Sequence, residues 1–129
     1  MSLDQREKVF DDLKNNLKNV LEQAVTAKPS KESCTSTYGE YLLGLEKHGT
    51  LLAQSVNNTA LVYRSEPSPT ADESHGLCKN VESRAVEYLN IFLSAPIGCG
   101  RYFLEDVRIV VVATLESCLS FVDELLKVG

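Results

Sequence analysis

Apolar residues recur every three or four positions in four separate stretches of the chain, and residues 105–128 form the most apolar of them. In that stretch Val107, Val110, Val111, Thr114, Leu115, Cys118, Leu119, Val122, Leu125 and Leu126 draw one broad stripe along a helix. Arg108, Glu116, Ser120, Asp123, Glu124 and Lys127 lie off it. The β-branched run at 109–112 raises the alternative of a buried strand, because branching at Cβ restricts χ1. The residues after it keep a helical period, which favours a single helix over a strand fused to a helix.

The other three stretches read the same way. Ser2 and Gln5 resemble a capping box, followed by a stripe of Val9, Phe10, Leu13, Leu17, Val20, Leu21 and Ala24 that Pro29 brings to an end. Thr37 with Glu40 repeats the signature ahead of Tyr41, Leu42, Leu45, Gly49, Leu52, Val56, Thr59, Ala60 and Tyr63. Gly44 and Gly49 cost this helix about 1 kcal/mol each relative to alanine, which predicts a close neighbour there. After a proline-rich break at 65–69, Thr70 and Glu73 cap a third segment with Leu77, Cys78, Val81, Ala85, Tyr88, Leu89 and Phe92.

Pro96, Gly98 and Gly100 make the last break. The pattern therefore predicts helices over 3–27, 37–64, 71–94 and 101–128. Each is roughly 36 Å long, and matched lengths with short connections favour antiparallel neighbours. The expected fold is all-α, an antiparallel up-down-up-down four-helix bundle forming a single domain over 1–129. A chain of 129 residues is long enough to bury about two-thirds of its unfolded surface without a disulfide or metal staple.

Charge narrows the partners. The formal net charge is -5, and the basic residues are interspersed with acids, so no basic face is available to neutralise phosphates. Direct nucleic-acid binding is not expected. The start is charged and lacks the apolar core of a signal peptide, and the run 109–113 is far too short to span a bilayer. The expected location is cytoplasmic and nuclear, with no membrane partner. Asn57-Asn58-Thr59 fits a glycosylation sequon but reads as a chance match in that setting.

Candidate chemistry is sparse. Cys34, Cys78, Cys99 and Cys118 form no CxxC pair and have no histidine at ligand spacing, which predicts buried or loop thiols and no metal or other cofactor. Cys99, between Gly98 and Gly100 at a helix start, is the one candidate nucleophile. With only His48 and His75 in the chain it falls short of a nucleophile, base and orienter set. The carboxylates come as sequence neighbours such as Asp11-Asp12, which splay apart on a helix. No catalytic residue is assigned, and a non-enzymatic protein is expected.

Apolar residues off the stripes say more. Ile109 and Ala113 lie on what should be the polar side of the last helix, Phe121 lies near its edge, and Val86 and Leu93 depart from the third stripe, as Leu43 and Leu61 do from the second. Ile109, Ala113, Phe121, Val86 and Leu93 are the candidate partner-binding residues. The competing reading covers such positions with Ile97, Tyr102 and Phe103 of the last connection, or leaves them as ordinary scattered aliphatics. Ser68, ahead of Pro69, is a candidate site for proline-directed phosphorylation.

The order of segments also carries a resemblance. A helix ending in TALVYRSEPSP, a helix containing HGLCKNVESRAVEYLNIFL, a proline-glycine break and a final helix with DVRIVVVATLESCLSFVDELL resemble the amino-terminal half of the D-type cyclin-binding, maternal-Id-like (GCIP) family. The similarity runs from Tyr41 to Leu126 and rests on pattern and on scattered residues such as Pro67, Pro69, Cys78, Val107 and Arg108. It implies an all-helical negative regulator of transcription or the cell cycle that binds D-type cyclin or helix-loop-helix transcription factors. The family continues into an acidic segment and a second helical lobe, so the resemblance implies one lobe or a short relative, with Ile109 and Ala113 facing the missing lobe. The alternative is a cytoskeletal or scaffold adaptor bundle of the vinculin or catenin type, which takes a partner helix between its own.

Overall fold

A computed structural model describes residues 3–26, 37–64, 70–94 and 101–128. They form four helices: α1 (Leu3–Thr26), α2 (Tyr38–Arg64), α3 (Ala71–Leu93) and α4 (Arg101–Val128). Every boundary lies within one residue of the range the pattern predicts, and 109–112 continue α4 as helix. Two of the expected caps are made. Thr37 Oγ1 accepts from the Glu40 amide at 3.2 Å while Glu40 Oε2 accepts from the Thr37 amide at 3.3 Å, a reciprocal capping box. Thr70 Oγ1 accepts from the Glu73 amide at 3.1 Å. The cap read at Ser2 lies outside the described residues.

Cross-helix contacts set the directions. The Tyr41 hydroxyl at the start of α2 donates to the Phe92 carbonyl at the end of α3, at 2.7 Å, so these two run antiparallel. Lys14 pairs with Asp123 at 2.8 Å, and Arg108 reaches the Ala24 carbonyl, so α1 and α4 are antiparallel as well. Tyr41 and Phe103 meet at 6.2 Å between ring centroids, which places the starts of α2 and α4 side by side. The fold is the expected up-down-up-down bundle.

The order around the ring is less simple. α1 packs against α3 and α4, α2 packs against α3, and α1 and α2 make no close backbone approach among the described residues. They meet across the core through Phe10 and Tyr63, whose ring centroids lie 4.9 Å apart. Helices consecutive in the chain are therefore not always neighbours in space. The shoulders of α1 account for this: Lys14 bonds to Asp123 of α4 on one side, and Asn16 donates to Glu82 of α3 at 2.8 Å on the other.

The core matches the stripes of α1 and α3 closely. Phe10, Leu13, Leu17, Val20 and Ala24 are buried in α1, and Cys78, Val81, Ala85, Tyr88, Leu89 and Phe92 in α3. From α4 come Val107, Val111, Leu115, Cys118 and Val122. Each fully buried large side chain contributes about 1.5 to 3 kcal/mol relative to exposure. Ser55 and Thr59, buried in the lower half of α2, donate to the Leu52 and Ser55 carbonyls, which satisfies both hydroxyls.

Among the described residues two stripe positions are exposed outright, and others are only partly buried. Leu42 is 47 % exposed and Val110 59 % exposed, and Leu119 is only partly buried. Between Tyr41 and Leu52 no residue of α2 is fully buried. The cause is the spacing of the helices: α2 and α4 approach each other sparingly, so the stripe on the upper half of α2 is not covered by the one opposite it.

Candidate functional site

That unclosed side of the bundle is a groove of about 650 Å³. Its α2 wall is Leu42, Leu45, Glu46, Gly49, Thr50 and Ala53; its α4 wall is Phe103, Asp106, Val107, Val110, Val111 and Thr114. Both sets step by three, one, three, one and three residues, the spacing of one face of a helix. Two parallel helices thus present matching faces to each other and approach closely at only a few points, the Tyr41–Phe103 pair among them. The walls run for about three turns, roughly 16 Å.

Tyr88 of α3 forms the floor. A Cβ at Gly49 would lie 3.3 Å from Tyr88 Cε1, so glycine lets the ring lie directly beneath α2. On the other wall the Tyr88 hydroxyl neighbours Thr114, whose own hydroxyl donates to the Val110 carbonyl at 2.9 Å. Burial is the main cause raising the phenol above its ordinary pKa, partly offset by the neighbouring Thr114 hydroxyl. A neutral ring therefore lies under an apolar trough. Among the described residues the charged ones lining it are Glu46 and Asp106, one on each wall, and both are exposed.

The residues singled out from sequence are placed elsewhere. Ile109, 67 % exposed, and exposed Ala113 share a shallow depression with Val25 at the end of α1, and Arg108 borders it. Val86 is exposed on α3, whereas Phe121 and Leu93 are partly buried and pack against the core. The five do not form one surface. Leu43 is exposed beside Lys47 and Leu51 on another face of α2, and Leu61 is exposed on the same helix. Phe103 turns to Tyr41 and the groove; Ser68, Ile97 and the Tyr102 side chain lie outside the described residues.

The groove residues were absent from that set for a definite reason. Leu42, Leu45, Gly49 and Val110 obey the apolar period, so they read as core, and only the helix spacing reveals that they are uncovered.

Reactive chemistry finds little footing in the described residues. Cys78 and Cys118 are buried, and burial pushes their thiols up to about 12 and about 11, with Glu82 adding to the effect at Cys78. Cys34 and Cys99 lie outside the described residues. His48 is partly buried with Nδ1 3.6 Å from Glu87 Oε2, and His75 is exposed. Among the described residues no His, Cys, Asp and Glu group is arranged to hold a metal, and no helix is long and apolar enough to cross a membrane. In comparisons with known proteins, no family model, curated protein or solved structure matches the chain.

Proposed function

We propose that this chain is a non-enzymatic protein-interaction bundle that receives an α-helix of a partner protein in the groove between α2 and α4. The observation that carries this reading is the pair of uncovered, equally spaced apolar faces lined by Leu42, Leu45, Val107, Val110 and Val111 above Tyr88. A third helix laid between them has apolar positions at i, i+3, i+4 and i+7 to offer both walls at once. Binding there leaves the helix pairs of the core intact, so the fold need not open to receive it.

On this reading the cellular role is negative regulation of transcription or the cell cycle, with a D-type cyclin or a helix-loop-helix factor as the partner that the family resemblance supplies. The partner is held away from its other associations, and no DNA contact is made by this chain. A scaffold adaptor of the vinculin or catenin type uses the same groove for a different client. Purified D-type cyclin, a helix-loop-helix factor and an actin-linked adaptor partner, each titrated against the wild-type chain and Val110→Asp, separate these roles. Binding of a cyclin or helix-loop-helix factor that is lost in Val110→Asp is expected. Binding confined to the actin-linked partner favours the adaptor, and binding indifferent to Val110→Asp overturns the groove.

A further inference from the structure

We infer that the helix taken up by this groove carries Lys or Arg at its carboxyl-terminal end and runs antiparallel to α2 and α4, an inference that rests on the groove being a helix site. Two independent features lead to it. Glu46 and Asp106 are exposed on opposite walls and are, among the described residues, the charged ones that line the groove. They sit near its upper end, about one turn below Leu42 and Phe103, so the cations that match them belong at one end of the occupant.

Helix polarity then decides which end. The starts of α2 and α4 lie side by side, as the Tyr41 and Phe103 rings show. Their partial positive charges therefore point the same way at the top of the groove, and an occupant with its carboxyl-terminal end uppermost meets them with partial negative charge. Lys or Arg in the last turns of that occupant is favoured by its own dipole and faces Glu46 and Asp106 at the same time. A helix of the opposite direction places like ends together, and an acidic one meets two like charges.

The test uses three synthetic helices of about 18 residues that share one leucine stripe and differ only in placing two lysines in the last turn, two lysines in the first turn, or two glutamates in the last turn. Affinities are read by fluorescence anisotropy against the wild-type chain, Val110→Asp, the pair Glu46→Lys with Asp106→Lys, and the off-groove pair Asp11→Lys with Asp12→Lys. Two exposed ion pairs correspond to a preference on the order of 3- to 30-fold for the peptide with carboxyl-terminal lysines at low salt, shrinking at high salt. That preference should invert towards glutamate in the Glu46 and Asp106 pair and persist in the Asp11 and Asp12 pair. Binding that is lost in Val110→Asp yet shows no charge preference, or prefers the lysines at the amino-terminal end, overturns this inference and leaves the groove reading standing. Equal binding by Val110→Asp, or no binding by any peptide, overturns both.

Discussion

Gly49 and Tyr88 are in direct contact across the α2–α3 interface: the tyrosine Cε1 lies 3.3 Å from where a Cβ on residue 49 would be. Tyr88 is buried, so its ring has little freedom to retreat. Gly76 on α3 is the natural comparison, since nothing lies within 4 Å of a Cβ there. Gly76→Ala should stabilise the protein by about 0.5 to 1 kcal/mol through helix propensity alone. Gly49→Ala should gain less than this or lose stability, and urea midpoints of the two variants compare them directly.

Leu115 and Leu119 belong to one stripe but not to one environment. Leu115 is 1 % exposed and Leu119 only partly buried. Leu115→Ala should cost about 2 to 5 kcal/mol by removing buried methylenes and leaving a cavity. Leu119→Ala should cost clearly less, with exposed Glu116→Ala close to wild type. Equal midpoints for the three in chemical denaturation would contradict the assigned core face.

Arg108 caps a helix to which it does not belong. Its Nη1 donates to the Ala24 carbonyl at 2.7 Å and the Val25 carbonyl at 2.9 Å, while its guanidinium lies 5.4 Å from the centroid of the Phe92 ring. The last turn of α1 has no basic residue of its own, and Arg108 satisfies two of its terminal carbonyls from outside the helix. Arg108→Met keeps much of the apolar stem and removes the donors, and it should cost about 1 to 3 kcal/mol. Native-state hydrogen exchange should show lost protection in the last turn of α1 first.

Alkaline pH should destabilise the bundle. Cys78 and Cys118 are raised from 9.0 to about 12 and about 11, and Tyr88 is raised from 10.0, all chiefly by burial. Their neutral forms are favoured in the folded state, so above pH 9 the unfolded chain releases protons that the native chain retains. The stability they contribute is complete below pH 9 and is lost as pH rises through about 11 to 12. Thermal midpoints should fall across that window, and Cys118→Ala should flatten the fall.

Val110→Asp should leave the fold nearly untouched, within about 1 kcal/mol, because the side chain is 59 % exposed. Hydrogen exchange on a partner complex of the wild-type chain should show local shielding on α2 and α4 with core protection retained. Loss of protection throughout two helices would mean that the partner opens the bundle instead of lying on it.

Periodicity made the helices and most of the core readable in advance, because a stripe such as Phe10, Leu13, Leu17 and Val20 reports which side of a helix avoids water. It does not report what stands opposite. Leu13 and Leu42 look alike in the pattern, yet one is fully buried and the other borders an open trough. The difference lies in the ring order, which depends on side-chain pairs far apart in the chain, such as Lys14 with Asp123 and Asn16 with Glu82. Off-stripe residues such as Ile109 were the visible irregularity in the sequence. The groove is made of regular ones.

The diagonal placement of α1 and α2 also governs how the chain acquires its structure. Of the helices joined by a single connection, α2 and α3 form the most extensive interface, so a hairpin of local contacts is available before anything else. The Lys14 partner is 109 residues away, and α1 has no second neighbour until α4 has formed. During synthesis its apolar stripe therefore has α3 alone to pack against until α4 has left the ribosome. That interval, more than the stability of the finished bundle, is when this protein is open to aggregation and to holdase chaperones.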